Sequence, residues 1–324
     1  MMNDGEEMVV AAAANNVVAY IYSPKLVYEL DKVSQIRGRA QMVNALINAY
    51  GLFKHLKLVN PLIADDKLLR LFHSQEYINE LKRCSNENED EERLLEESEC
   101  DFGIGYDCPL IANVYDHCCC VAGASITAAH LINVNKCKYA INWFGGWHHG
   151  KRDKASGFCY INDIALCIQK LRQRFNRVLY VDLDQHHGDG VQEAFEYTNK
   201  VMTLSFHKFM PGFFPGTGSL DDCGKGNGMY YSLNVPLHSG IDDATFAALF
   251  AKIFSQTCAT YRPDVLVVQC GADSLHNDPI DQKNPFNLTL KGYLECIRTV
   301  LGTDLPCVFL GGGGYNFAIT ARLW

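Results

Sequence analysis

The sequence predicts an α/β protein with an open, mostly parallel, multi-stranded sheet that carries helices on both faces. Short runs of β-branched and aromatic residues alternate with longer stretches of helical periodicity, which is the pattern of a parallel sheet with crossover helices. Several strand runs are continuously apolar, as in strands that are covered on both faces. The 324 residues are 48% apolar, enough to bury one large core without a second domain.

The elements follow in chain order from these runs. The first strand is VVAYIY, and later strands include VLYVD and VLVVQC, which are rich in β-branched and aromatic residues. The strand candidates are residues 17–22, 139–143, 178–182, 201–206, 233–235, 265–270 and 307–310. The helix candidates between them are residues 39–50, 112–132, 163–175, 243–261 and 290–301. The strongly acidic segment 86–99 is predicted to be a solvated loop or exposed helix.

Composition and charge limit the classes of function. The formal net charge of -8 argues against binding to nucleic acid, whose phosphates it would repel, and is compatible with basic partners such as lysine-rich tails. The acidic N-terminus lacks the basic region of a secretory signal, and no apolar run is long enough for a membrane helix. None of the 14 cysteines stands at C-x-x-C spacing, so we expect free thiols, most of them buried.

The unusual polar motifs of the sequence collect after the predicted strands. GGWHH follows residues 139–143, DLDQHHGDG begins at the end of 178–182, GAD follows 265–270, and GGGGY follows 307–310. Ligands of open α/β sheets bind beyond the carboxyl ends of the strands. A random scatter of polar residues would not favour one edge, so this clustering predicts a functional site there.

The DLDQHHGDG segment predicts a metal site. Asp184 and His186 are two residues apart, so in an extended chain they point to the same face and can bind one ion. Asp273, at another strand end, is the best candidate for a third ligand. Two carboxylates and one imidazole with open positions are typical of catalytic Zn²⁺, although the same set would also hold Fe²⁺. A polar strand end is the alternative, but five ionisable groups in eight residues would be costly there without a purpose.

The GGWHH segment supplies a histidine pair. Adjacent side chains diverge, so His148 and His149 are predicted to act as general base and electrostatic partner and not as ligands of one metal. Each ring needs a carboxylate to orient it, and Asp182 and Asp189 are available for that task.

The remaining site candidates come from glycine-rich and proline-rich loops. GGGGY matches neither a dinucleotide nor a phosphate loop, but its Tyr315 could donate a hydrogen bond to an oxyanion. In PGFFPGTG, Phe214 could pair with Phe158 of GFCY to line a narrow apolar channel. Such a channel suits a substrate with an alkyl stem and a polar end. By itself, Asp107 would be a surface aspartate on a turn.

The chain contains, in this order, GYDCP, GGWHHGKRDKASGFCYIND, YVDLDQHHGDGVQEAF, SFHKFMPGFFPGTG, QCGAD and LGGGGYN. This ordered set resembles the class I zinc-dependent histone deacetylases from about residue 17 to residue 324. The resemblance implies an arginase/deacetylase-like fold, with a flexible N-terminus in residues 1–16 and a single catalytic domain in residues 17–324. It implies hydrolysis of the amide of N-ε-acetyl-lysine in histones or other proteins, with release of acetate.

The resemblance also implies roles for individual residues. The metal ligands are Asp184, His186 and Asp273, and the catalytic residues are His148, His149 and Tyr315, with Asp182 and Asp189 paired to the two histidines in turn. The substrate-binding positions are Asp107 at the rim, then Gly157, Phe158, Phe214 and Ile280, and Arg39 lies behind the site. Two structural potassium ions match Asp182, Asp184, His186, Ser205 and Phe206 at one site, and Phe195, Thr198, Val201 and Tyr231 at the other.

The partners and location implied by the resemblance are acetylated lysine-containing proteins such as histone tails, repressor-complex proteins, and the nucleus and cytoplasm. The sequence departs from the family at Gln185 and Gly150, where apolar residues or alanine are more typical, and at Ile280, where methionine or leucine is expected. Family domains continue past the TARLW-like motif, so we expect the catalytic domain to be incomplete at its C-terminus. A catalytically weak acetyl-lysine-binding or repressor-scaffold module, and a deacetylase of small molecules such as acetyl-polyamines, are the alternatives.

Overall fold

The computed structural model describes residues 17–85, 102–281 and 285–324. The predicted flexible N-terminus (1–16) and the acidic segment 86–99 lie outside the described residues. Eight strands form one sheet in the order β2-β1-β3-β8-β7-β4-β5-β6, and each of its strand pairs is parallel. The strands are β1 (Val18–Ile21), β2 (Lys57–Val59), β3 (Tyr139–Asn142), β4 (Val178–Asp182), β5 (Val201–Lys208), β6 (Ser232–Leu237), β7 (Val265–Gln269) and β8 (Cys307–Leu310). The predicted α/β class is confirmed.

Helices pack around this sheet. They are α1 (Pro24–Leu30), α2 (Arg39–Ala49), α3 (Asp66–Leu69), α4 (Gln75–Arg83), α5 (Val114–Asn133), α6 (Asp163–Leu171), α7 (Asp189–Phe195), α8 (Asp243–Tyr261), α9 (Leu290–Leu301) and α10 (Phe317–Leu323). The five predicted helices are all present, and α8 and α9 have the predicted bounds. Strand β2 was not predicted from the sequence.

Both faces of strand β4 are buried, which explains why its sequence is continuously apolar. Val178 and Tyr180 face a core formed with α5 and α6, whereas Leu179 and Val181 face a second core formed with α8 and α9. In α8, Phe246, Phe250 and Phe254 recur every four residues and therefore lie on the face that is buried against the sheet. Burial of both sheet faces leaves the strand ends as the place for polar chemistry.

The ends of individual helices follow from local sequence. Asp242 precedes α8 and its side chain accepts a hydrogen bond from the Thr245 N–H at 2.9 Å, which satisfies one of the free amides of the first turn. Within the described part of the chain, no helix is long and apolar enough to cross a membrane. The described cysteines are all free, and all of them except Cys223 and Cys258 are buried, as predicted.

The four central strands β3, β8, β7 and β4 are neighbours in the sheet. The segments that follow them are those singled out in the sequence, namely GGWHH, GGGGY, GAD and DLDQHH. Because the strands are parallel, their carboxyl ends meet at one edge of the sheet. The fold therefore brings these four segments together.

Candidate active site

The three predicted metal ligands converge at the carboxyl edge of the sheet. Asp184, His186 and Asp273 each offer a ligand atom, and these atoms lie within 4.8 Å of one another. His186 Nδ1 lies 3.2 Å from Asp184 Oδ1 and 3.0 Å from Asp273 Oδ2. Both carboxylates are almost wholly buried. Two buried carboxylates and one imidazole form a donor set that suits a catalytic divalent cation.

The surroundings of these carboxylates fit a cation. Burial and the charge of Asp184 raise the pKa of Asp273, because two negative charges are held together away from water. A cation between them would relieve this repulsion. The backbone passes close to both carboxylates. A Cβ added at Gly271 would lie 2.1 Å from Asp184 Oδ2, and one at Gly313 would lie 2.3 Å from Asp273 Oδ2. Glycine is required at both positions so that the backbone can pass the ligands.

Two histidine–carboxylate pairs lie beside the ligand group. His148 Nδ1 is 2.8 Å from Asp182 Oδ2, and His149 Nδ1 is 2.8 Å from Asp189 Oδ1. All four side chains are buried, and the two imidazole rings are 4.0 Å apart. A carboxylate on Nδ1 fixes the orientation of each ring and leaves its Nε2 for chemistry.

The surroundings shift the pKa values of the two histidines in opposite directions. Burial disfavours the charged form of His148, but the carboxylates of Asp182 and Asp184 outweigh it and raise its pKa to about 9. Burial and the positive charge of His148 lower the pKa of His149 to about 3. The order of these two pKa values favours His149 as the proton acceptor of the pair, because a neutral imidazole can accept a proton.

Tyr315 follows the glycine segment after β8 and lines the same cavity as the ligands. Its side chain is half-buried, and its ring meets that of Phe158 edge-on at 6.0 Å. Behind it, Arg39 is buried and donates hydrogen bonds to the carbonyl oxygens of Gly312 and Gly314, both at 2.9 Å. Burial lowers the pKa of Arg39 to about 10, which leaves it cationic at neutral pH.

An apolar channel leads to this group. Phe158 and Phe214 both line a cavity of about 350 Å³ whose lining also includes the metal-ligand group, His148, His149 and Tyr315. The ring of Phe214 meets that of His149 edge-on at 4.8 Å, and the ring of Phe213 stacks on His186 at 5.1 Å. An alkyl stem can therefore be enclosed by aromatic rings while its polar end reaches the ligands.

A family model described as histone deacetylase domain matches residues 34–324. This chain belongs to the histone deacetylase family. It is 45% identical to histone deacetylase 8 of Danio rerio over 95% of this chain and 79% of that protein. It is 47% identical to histone deacetylase 8 of Xenopus tropicalis over 94% of this chain and 81% of that protein. Histone deacetylase 19 of Arabidopsis thaliana is 44% identical over 95% of this chain and 60% of its own length.

These similarities confirm the predicted class I resemblance, fold and reaction. The deacetylase is a metal-dependent hydrolase that removes acetyl groups from lysine side chains, with histones as substrates of the family. A buried Asp-His-Asp group that could hold a metal ion is present at the carboxyl edge of the sheet.

The other predicted substrate positions line the same cavity. Asp107 accepts a hydrogen bond from the Gly157 N–H through Oδ2 at 2.6 Å. Asp107, Gly157 and Ile280 all line the cavity, so they lie with the aromatic channel. Ile280 is 38% exposed, so this departure from the family lies on the solvent-facing part of the cavity lining.

The other two departures are accommodated locally. A Cβ added at Gly150 would lie 2.8 Å from the Ile161 carbonyl carbon, so a larger residue would require the backbone to shift. Gln185 is buried and its Oε1 accepts a hydrogen bond from the Phe286 N–H at 3.3 Å. The polar side chain therefore has a partner in the core.

One set of predicted potassium positions lies next to the candidate active site, and the other lies at the opposite edge of the sheet. Ser205 pairs with Asp182 in the β4–β5 register, so the first set is contiguous with the metal-ligand group. The second set lies at the opposite edge, where Val201 begins β5 and the Phe195 carbonyl accepts a hydrogen bond from the Thr198 N–H.

Several residues of the site were not predicted from the sequence. Gln269 donates to Asp184 Oδ2 at 2.8 Å, and Lys151 donates to Asp189 Oδ2 at 2.5 Å. Phe213 stacks on His186, one of the predicted metal ligands. The sequence could have indicated Gln269, because it is a polar residue at the end of an otherwise apolar strand, as Asp182 is. Asp278, whose Oδ2 accepts a hydrogen bond from the Tyr315 N–H at 2.7 Å, had no such signal, since Tyr315 is 37 residues away in sequence.

Proposed function

We propose that this chain hydrolyses acetyl-lysine amides with His149 as general base and acid, His148 as its charged partner and Tyr315 as donor to the oxyanion. The ligands of the metal would be Asp184, His186 and Asp273. The observation that supports this assignment is the convergence of the ligand group, two His–Asp pairs and Tyr315 around one aromatic-lined cavity. A binding module would not need two buried histidine–carboxylate pairs.

His149, Asp189 and Tyr315 would each have a separate role in the reaction. A zinc ion bound there would polarise the acyl carbonyl and lower the pKa of a water molecule. His149 Nε2 would take the proton from the attacking water while Asp189 holds the ring through Nδ1. Tyr315 would donate a hydrogen bond to the acyl oxygen as negative charge develops on it. His149 would then return the proton to the leaving lysine amine.

The aromatic channel and its rim account for the substrate. Phe158 and Phe214 would enclose the lysine stem, and Gly157 allows the channel wall to approach His149 closely. Asp107, at the rim, would hold the substrate backbone, which favours acetylated proteins over free acetyl-polyamines. The net charge of -8 supports basic substrates such as histone tails and argues against direct binding of nucleic acid.

Further parts of the proposal rest on the family resemblance. Zinc is the expected metal, and Fe²⁺ would suit the same ligands. Two potassium ions would be held largely by backbone carbonyl oxygens. One would lie at Asp182, Asp184, His186, Ser205 and Phe206, and the other at Phe195, Thr198, Val201 and Tyr231. The protein would act in the nucleus and cytoplasm, together with repressor-complex proteins.

The test uses Tyr315→Phe, which removes one hydroxyl from the cavity. Turnover of an acetyl-lysine peptide should fall by about a hundredfold, while bound zinc stays at the wild-type level. Wild-type turnover by this variant would refute the role of Tyr315. Turnover of free N-acetyl-polyamine by the unmodified protein should be well below that of the peptide, and the reverse order would identify a small-molecule deacetylase.

A further inference from the structure

The buried carboxylate of Asp278 joins the two loops that follow β7 and β8. Asp278 is 5% exposed and lies between the predicted ligand Asp273 and the channel residue Ile280. Its Oδ2 accepts hydrogen bonds from the backbone N–H groups of Tyr315 at 2.7 Å and Asn316 at 3.1 Å. Its Oδ1 accepts a third from the Ile280 N–H at 3.1 Å. Three amides thus satisfy a charge that would otherwise be costly to bury.

The same segment is held from its other side by a cation. Arg39 Nη1 donates to the carbonyl oxygens of Gly312 and Gly314, both at 2.9 Å. The backbone around Tyr315 is therefore fixed by Arg39 at its carbonyl groups and by Asp278 at its amide groups. Movement of either support would move the start of the Tyr315 side chain.

The Tyr315 hydroxyl depends on this support. Among the described residues, none forms a hydrogen bond with that hydroxyl, and the ring contacts Phe158 only through an edge-on approach at 6.0 Å. No side-chain hydrogen bond from the described residues holds the hydroxyl, so its position depends on the packing of the ring and on the backbone from which the side chain starts. Displacing a reacting group by about 1 Å can reduce a rate about a hundredfold.

We propose that Asp278 is a positioning residue for deacetylation, which acts through the backbone amide of Tyr315 to hold its hydroxyl at the acyl oxygen. Through the Ile280 amide, the same carboxylate fixes the channel wall relative to Tyr315. This inference rests on the proposed role of Tyr315. A purely structural role is the competing explanation, because Asp278 also bonds the Asn316 amide, directly before α10.

The experiment compares Asp278→Asn, Tyr315→Phe and the double variant in the zinc-loaded full chain, with an acetyl-lysine peptide as substrate. Asparagine keeps the size of aspartate but cannot accept at both positions. Asp278→Asn should lower kcat by about tenfold to a hundredfold and leave KM within about twofold, because the interaction acts on the transition state. The double variant should be no slower than Tyr315→Phe alone, because both changes remove the same contribution.

Asp264→Asn is a matched control. Asp264 Oδ2 also accepts hydrogen bonds from two consecutive backbone amides, those of Asn176 at 3.0 Å and Arg177 at 2.8 Å, but at the start of β4, away from the cavity. Its kcat should stay within about twofold of the wild type. Rates are expressed per folded, zinc-loaded molecule, so that partial unfolding of a variant does not imitate a loss of kcat.

The outcomes separate the two proposals. If Asp278→Asn keeps the wild-type kcat while Tyr315→Phe loses it, Asp278 does not position Tyr315. If the losses from the two changes multiply in the double variant, Asp278 acts by another route and the inference is overturned. If Tyr315→Phe itself keeps the wild-type kcat, the role proposed for Tyr315 fails, and the positioning inference fails with it.

Discussion

Gly157 offers a way to move the proposed general base without changing its chemistry. The residue has φ +56°, and a Cβ added there would lie 2.5 Å from His149 Cδ2 and 2.8 Å from Cγ. The His149 ring is buried and held by Asp189, so it has little freedom to turn aside. Gly157→Ala should therefore displace the ring and leave the metal ligands in place.

The size of the effect follows from this distance. Carbon atoms in contact are about 3.5 Å apart, so the ring or the loop must move by about 1 Å. A shift of about 1 Å in a catalytic group can cost about a hundredfold in rate. Alanine at positive φ also costs about 1–2 kcal/mol of stability, whatever surrounds it.

The control variant Gly51→Ala separates the cost of alanine at positive φ from the effect of displacing the His149 ring. Gly51 has φ +69°, and a Cβ added there would meet nothing within 4 Å. Both variants should lose free energy of unfolding in denaturant titrations, Gly157→Ala more because of its clash with the buried ring, and both should keep bound zinc, but only Gly157→Ala should lose about a hundredfold in peptide turnover. If Gly157→Ala turns over substrate as fast as Gly51→Ala, His149 does not need the position that the structure gives it.

Three further predictions concern the metal, the core and pH. Asp273→Asn should weaken zinc binding by at least about a hundredfold in competition with a chelator, and unchanged affinity would remove Asp273 from the ligand set. Phe250→Ala empties a fully buried position in α8 and should cost about 3–5 kcal/mol in denaturant unfolding, whereas a loss below about 1 kcal/mol would contradict the described core. Burial lowers the pKa of His73 to about 4, and its Nε2 accepts from the Asn162 N–H, so the neutral form is the folded one. The unfolded chain therefore binds more protons between the ordinary pKa of about 6.5 and pH 4, and stability that is complete above pH 6.5 is lost as pH falls. His73→Gln should make unfolding free energy less dependent on pH in that window, and an unchanged slope would be evidence against a buried neutral His73.

Patterns within single segments predicted most of the fold. Continuous apolar runs identified β4 and β7 because both of their faces are buried, and periodicity identified α8 and α9. Strand β2 was not predicted because Lys57–Val59 has only three residues. It lies at the edge of the sheet, where few of its side chains are buried, so its sequence has no apolar pattern.

The site was predictable to the extent that its residues follow strands. Asp184, Asp273 and His149 stand directly after runs that a reader can identify, and parallel strands place such residues at one edge. Contacts between loops cannot be recognised from the sequence in this way. Asp278 meets Tyr315 across 37 residues, and the stacking of Phe213 on His186 depends on how the 209–218 loop folds back over the site.

The most direct test of the account is release of acetate from an acetyl-lysine peptide by the purified, zinc-reconstituted protein, with Asp184→Ala beside it. The Asp184 carboxylate lies in the ligand group and accepts hydrogen bonds from Gln269 and the Gly313 amide, so its loss should abolish both zinc binding and turnover. We predict turnover by the wild type and none by the variant. A folded wild type that holds zinc and releases no acetate, or an Asp184→Ala variant that still does, would contradict the proposed metal-dependent deacetylase.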